Sequence, residues 1–210
     1  MKQLEELSLH LQRGDSRAVA DLTRQAIDEG LTAQTILDEG LIAGMTIIGK
    51  RFKAHEVFLP DVLLAAKAMY AGLDLLEPLM IEEGVTTRGK VVIGTVQGDL
   101  HDIGKNLVGI MLKGAGFEVI DLGHDVAPET FVDAAQREGA RVIGLSALLT
   151  TTMPMMRNVV EVLEERGLES EIKVIVGGAP LSHAYAAEIG AAAYCFDGIS
   201  AVETVTKFFE

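Results

Sequence analysis

The sequence predicts an α/β chain in two parts, a four-helix bundle followed by a doubly wound five-stranded parallel sheet. Three observations carry this prediction. Apolar residues recur at helical spacing up to about Glu83. A polar stretch, Glu82-Glu83-Gly84-Val85-Thr86-Thr87-Arg88-Gly89, then breaks the pattern and reads as a linker, placing the boundary between residues 1–87 and 88–210. Beyond it, short β-branched runs alternate with helix-length segments, as parallel strands with crossover helices do.

In the first part, Leu4, Leu7 and Leu11 share one helical face, and Gly14-Asp15-Ser16 makes a break with capping residues. Val19, Leu22 and Ala26 continue the period as far as Glu29-Gly30. A third segment carries Ile36, Leu37, Leu41, Met45 and Ile48. The fourth begins near Leu59-Pro60, where proline suits a first helical turn, and runs on to Met80. Short connections between four amphipathic helices imply a small bundle.

In the second part the strand-like runs are 90–96, 117–122, 141–146, 172–176 and 192–196. Helical stretches lie between them, and 201–209 closes the chain. Five strands in this span match the flavodoxin-like size, with strand order 2-1-3-4-5 expected. In such sheets ligands bind beyond the carboxyl ends of the strands, so the strand tips hold the candidate site.

Composition narrows the function classes. Of 210 residues, 49% are apolar and 23% charged, which excludes a disordered chain. Mean hydropathy is +0.29, yet no apolar run reaches the roughly 18 to 20 residues of a membrane span. The start, Met1 to Asp15, carries charges throughout and has no apolar core, so no signal peptide is expected. With 31 acidic and 18 basic residues the net charge is −13, and no basic patch offsets it, so nucleic acid is not an expected partner. The single cysteine, Cys195, rules out an intrachain disulfide and points to a reducing, cytoplasmic setting.

The first strand is followed by Gly98-Asp99-Leu100-His101-Asp102-Ile103-Gly104-Lys105-Asn106. A phosphate-binding P-loop does not fit, because Gly98 stands one residue too early and Asn106 replaces the magnesium-binding hydroxyl. A dinucleotide Gly-x-Gly-x-x-Gly is absent. What remains is Asp-x-His-x-x-Gly at a strand tip. There an imidazole can present one nitrogen outward while Asp99 holds the other, as carboxylates do behind metal-bound histidines. Alone, the segment reads first as a loop histidine among solvated carboxylates. Zinc is disfavoured, since His10, His55, His124 and His183 show no ligand spacing and one cysteine cannot complete a set. The third strand ends in Ser146-Ala147-Leu148-Leu149-Thr150-Thr151-Thr152, which alone is a capped turn entering the next helix. The fourth ends in Gly177-Gly178, which alone is an ordinary turn or a place of close backbone approach.

Together the three tips resemble the cobalamin-binding module shared by methionine synthase and the corrinoid methyl-carrier proteins of methyltransferase systems. The shared pattern is Asp99-x-His101-x-x-Gly104, then Ser146-x-Leu148, then Gly177-Gly178, and the helical part resembles the cap that precedes this module. The resemblance covers nearly the whole chain. It implies a cobalamin or related corrinoid on the carboxyl edge of the sheet, with His101 as lower cobalt ligand and Asp99 on its far nitrogen. Thr152 stands where methionine synthases have the serine of a carboxylate–histidine–hydroxyl relay. Ser146 and Thr150 would meet the nucleotide tail, Gly177 and Gly178 would line its channel, and Gly98, Asp102, Ile103, Gly104 and Leu148 complete the set. At the last strand the family's Gly-Ala-Asp-Gly-Tyr reads Gly190-Ala191-Ala192-Ala193-Tyr194, keeping Tyr194 and losing the acid. Phe52 and Leu59 match the family's apolar cap residues, although as residues alone both also fit bundle core, and Phe58 is read as core. The methionines and Cys195 read as core.

The implied function is methyl carriage. A substrate:corrinoid methyltransferase would load the cobalt from a methyl ether, methanol, a methylamine or a betaine, the ether being favoured. A corrinoid:tetrahydrofolate or thiol methyltransferase would unload it, and a reductive activase would restore it. The chain would be a carrier subunit, not catalytic by itself, and the relay would take up a proton whenever cobalt releases the histidine. The alternative is a cobalamin-dependent light sensor or regulator, which normally adds a basic DNA-binding domain. A radical-mutase subunit is disfavoured by the helical part. Bundle and sheet take up the length given, so a full methionine synthase is not expected.

Overall fold

The computed structural model describes residues 2–85 and 87–210. The chain forms two compact units, residues 1–87 with 114–116, and residues 88–113 with 117–210.

The first unit is helical. Helix α1 (Lys2–Gln12) buries Leu4, Leu7 and Leu11, and the break predicted at 14–16 separates it from α2 (Ser16–Asp28). Asp15 caps α2, its carboxylate accepting from the Ala18 amide at 3.0 Å. The third segment is less regular than its apolar period predicts. A short α3 (Ala33–Thr35) runs into a π-helical stretch at Ile36–Ile42 and then α4 (Ala43–Lys53). Gly40 lies in the π-helical stretch, where a Cβ would stand 2.9 Å from Leu7 Cδ2 of α1. The wound segment thus packs against α1 through a residue without a side chain, a local demand that the 3.6-residue period does not encode. Helix α5 (Leu59–Glu83) begins with Pro60 in its first turn and with Asp61 accepting from the Phe58 amide at 2.8 Å. It ends on Gly84 in the left-handed conformation, φ 62°.

The second unit holds the sheet. Strands β1 (Lys90–Thr95), β2 (Glu118–Asp121), β3 (Val142–Ser146), β4 (Lys173–Gly177) and β5 (Ala193–Tyr194) are all parallel, in the predicted order β2-β1-β3-β4-β5. Between them run α6 (Ile103–Gly114), α7 (Pro128–Glu138), α8 (Pro154–Glu165) and α9 (His183–Glu188), and α10 (Gly198–Lys207) follows β5. The central strands carry near-continuous apolar runs because helices cover both faces: Val91, Val92, Ile93, Val142, Ile143, Leu145, Val174, Ile175 and Val176 are buried. Phe131 of α7 and Met156, Val159 and Leu163 of α8 close one face. Full burial of a side chain such as Phe131 contributes about 1.5–3 kcal/mol. No helix of the described residues is long and apolar enough to cross a membrane.

Strand order reverses at β1, with β2 on one side and β3 on the other. The loops after β1 and β3 therefore open a crevice at the carboxyl edge, where ligands of such sheets bind.

Candidate functional site

The crevice is built around one buried carboxylate. Asp99 follows β1 in a tight turn, its amide donating to the Val96 carbonyl at 3.1 Å. Its side chain has no exposure and accepts five hydrogen bonds. Oδ1 takes the His101 amide at 3.0 Å and His101 Nδ1 at 2.7 Å. Oδ2 takes the Leu148 and Leu149 amides at 2.8 and 3.1 Å and the Thr152 hydroxyl at 2.8 Å. Asp99 thus joins the β1 tip to the β3 tip. Burial alone would push its carboxyl up, but the donors from His101, Leu148 and Thr152 outweigh it and hold the group well below the usual carboxylate range.

An anionic Asp99 fixes the histidine tautomer. Its oxygen can only accept, so in the neutral ring Nδ1 carries the proton and Nε2 the lone pair. The His101 side chain is 52% exposed, so it presents a basic nitrogen from a rigid, buried anchor. Thr152 is buried and has two acceptors in reach, Asp99 Oδ2 at 2.8 Å and the Leu149 carbonyl at 2.9 Å. Its added methyl relative to serine does not keep the hydroxyl from the carboxylate.

The remaining sequence candidates fall into four places. Gly98, with φ 82°, leads the β1 loop, and the Asp102 carbonyl accepts from the Asn106 amide at 2.8 Å to open α6. Ile103 is 79% exposed. Gly104 has open space around it, and a Cβ there would meet nothing within 4 Å. At the β3 and β4 tips, Ser146 pairs with Gly177 across the sheet, and Leu148 and Thr150 are exposed. Gly178 has φ 140°, and a Cβ on it would stand 1.9 Å from the Ala147 carbonyl oxygen. Gly178 therefore serves a close backbone approach to the β3 tip, while a Cβ on Gly177 would stand 3.2 Å from the Cys195 carbonyl oxygen after β5. Tyr194, on β5, meets the His183 ring edge-on at 5.1 Å.

Phe52 and Leu59 belong to the helical unit, Phe52 partly buried in α4 and Leu59 37% exposed at the start of α5. Leu59 is thus not core. The expectation that Phe58 is core is corrected: it is 68% exposed. It caps α5 in an extended conformation, ahead of the first turn and off the helical face that packs. Cys195 is buried, and burial raises its thiol.

Three residues that the sequence reading passed over also shape the site. Thr95, fully buried, donates to the His101 carbonyl at 3.1 Å. Asp125, on the loop after β2, accepts from the Gly98 amide at 2.7 Å. Lys105 buries its ammonium against Asp121 at 2.5 and 2.6 Å and Asn106 at 2.6 Å, pinning the start of α6 to the end of β2. The lysine of the rejected P-loop is thus engaged by the chain's own carboxylate and amide.

The donor set fits a corrinoid. One half-exposed imidazole offers a single lone-pair nitrogen, Gly104 leaves a surface that no protein atom fills, and hydroxyls stand at the β3 tip. Leu100, Leu148, Leu149 and Phe196 on the loops after β1, β3 and β5, and Ile103 at the start of α6, expose 41–81% of their surface, an apolar setting suited to a macrocycle. Comparison with known proteins decides the family. A B12 binding domain family matches residues 89–206, and a second B12 binding domain family matches residues 3–77. The chain belongs to the B12-binding corrinoid proteins. It is 45% identical over 210 residues to a corrinoid protein of Desulfitobacterium hafniense, covering 99% of this chain and 97% of that one. It is 47% identical over 173 residues to dimethylamine corrinoid protein 1 of Methanosarcina acetivorans, covering 82% and 81%. A crystal structure of the methanol:cobalamin methyltransferase complex from Methanosarcina barkeri superposes with a TM-score of 0.90 at 28% identity, covering 99% of this chain and 80% of that one. As a corrinoid protein of a methyltransferase system, the chain binds a cobalamin-type cofactor.

Proposed function

We propose that the chain carries a methyl group on its corrinoid between two partner methyltransferases, with His101 as the lower cobalt ligand. One observation supports this reading above all: a buried Asp99 with five donors, holding an exposed imidazole whose Nε2 keeps its lone pair. When bound, the corrinoid supplies a cobalt centre that accepts and releases a methyl group. The chain's own residues do the rest. His101 Nε2 would offer its lone pair to the cobalt. When that nitrogen is free it can take a proton, and Nδ1–H stays against the anionic Asp99 oxygen. The Thr152 hydroxyl has one proton to donate, to Asp99 Oδ2 or to the Leu149 carbonyl, so it can supply or withdraw one of the five donors on Asp99 as the charge of the histidine changes. Ser146 and Thr150 would meet the nucleotide tail, with Gly177 and Gly178 beside it, and Gly98, Asp102, Ile103, Gly104, Leu148 and Tyr194 would line the cofactor.

Residues 1–87 would act as the cap and residues 88–210 as the cofactor module. In the cap, Phe52 and Leu59 would shield the methyl group. The methyl donor is a small methylated compound, a methyl ether, methanol, a methylamine or a betaine. Relatives named for dimethylamine and a structural neighbour named for methanol support this class. The acceptor side is a tetrahydrofolate or thiol methyltransferase, and a reductive activase would serve both.

Reconstitution tests the reading. The protein should take up one corrinoid per chain. Once methylated, it should lose its methyl to tetrahydrofolate or a thiol only when a partner methyltransferase is added. A light-triggered change of oligomeric state with the adenosyl form, without methyl transfer, would instead make the chain a sensor.

A further inference from the structure

The loop that carries Asp99 and His101 is held from a third strand tip. Asp125, after β2, uses both its hydrogen-bonding ends on consecutive residues of that loop. Its carboxylate accepts from the Gly98 amide at 2.7 Å, and its own amide donates to the Asp99 carbonyl at 3.1 Å. To do so it adopts φ 55°, one of two non-glycine residues in the left-handed region among the described residues. A side chain in that region is uncommon, and aspartate is among the few that tolerate it. The neighbouring backbone is bound as well. Val96 and Val126 form a parallel bridge, Val126 donates to the Thr95 carbonyl at 3.1 Å, and Thr95 in turn donates its hydroxyl to the His101 carbonyl at 3.1 Å.

We propose that Asp125 is a positioning residue for His101. By clamping Gly98 and Asp99 from the β2 tip, it fixes the turn from which the imidazole reaches the cofactor, and so sets the balance between bound and free histidine. Asp125 is exposed and makes no hydrogen bond to His101 itself, so it acts through the backbone. The proposal rests on the reading of His101 as cobalt ligand.

Three variants separate the clamp from its alternatives. Asp125→Asn keeps an oxygen acceptor and a tolerance for positive φ. Asp125→Gly keeps the backbone relaxed but removes the acceptor. Asp125→Ala removes the acceptor and adds strain. The full-length protein, loaded with corrinoid and reduced to Co(II), is compared by electron paramagnetic resonance under conditions where the native protein shows histidine-bound and histidine-free signals in comparable amounts. Corrinoid content and exchange of the Gly98 amide are measured alongside. Asp125→Gly and Asp125→Ala should lower the ratio of bound to free about five-fold and speed Gly98 exchange, as expected for one lost hydrogen bond. Asp125→Asn should stay near native. An unchanged ratio in Asp125→Gly, or an equal loss in Asp125→Asn, overturns the proposal while leaving His101 as ligand. A native protein with no histidine signal overturns both.

Discussion

Asp99 concentrates the chemistry of this protein in a single side chain. Fully buried and surrounded by five donors, it is held anionic, and it orients His101 while linking two strand tips. Its carboxyl titrates lower in the folded chain than in the unfolded one. The stability it contributes is therefore complete above the ordinary aspartate pKa of about 4 and is lost as pH falls below it. Asp99→Asn should cost about 2 kcal/mol in urea unfolding at neutral pH, since a charged acceptor with several donors becomes a neutral amide. That gap should shrink as the pH is lowered from 4, and a gap independent of pH would contradict the account. The pairing of Asp99 with His101 is legible in sequence because the two stand two residues apart at a predicted strand tip. The reach of Asp99 to the Leu148 and Leu149 amides is not. Those donors come from the other side of the crevice and carry no residue signature.

At the scale of elements, the alternation of apolar runs and helices specifies a parallel sheet, because buried parallel strands must be apolar on both faces, and its order is the one expected for a five-stranded sheet of this size. The helical unit is legible only in outline. Apolar spacing does not distinguish the π-helical stretch around Gly40 from regular helix, and it cannot tell the exposed Phe58 from core. Thr95 and Asp125 escaped for a different reason. Each acts through one side-chain contact, Thr95 on the His101 carbonyl and Asp125 on an amide far away in sequence. The β2 tip was the one signal that could have found Asp125, since the rule about strand ends applies to every strand beside the crevice. Gly104 gives a test at this scale. Nothing lies within 4 Å of where its Cβ would be, so Gly104→Ala should change stability by less than about 0.5 kcal/mol, as for open surface sites. Corrinoid affinity should nevertheless fall at least ten-fold, measured by titration of the unloaded protein. Unchanged affinity would remove the start of α6 from the cofactor surface.

For the whole molecule, the family matches cover both parts of the chain, residues 3–77 and 89–206, and the proposal divides the labour between them. If the helical part shields the methyl group through Phe52 and Leu59, then Phe52→Ala and Leu59→Ala should leave corrinoid content nearly unchanged and make photolysis of the methylated cofactor faster. Photolysis at the native rate in both variants would remove Phe52 and Leu59 from the shielding of the methyl group.

The central claim is that His101 binds cobalt, and histidine labelling tests it most directly. With the corrinoid reduced to Co(II), an axial nitrogen splits the resonance of the unpaired electron, into triplets for nitrogen-14 and doublets for nitrogen-15. Protein grown with nitrogen-15 histidine alone should show doublets, and His101→Ala should abolish the splitting from protein nitrogen, while variants of His55, His124 and His183 keep it. Triplets that persist in the labelled protein would show the cofactor bound by a nitrogen other than histidine's, and the account of this site would fall even with the corrinoid in place.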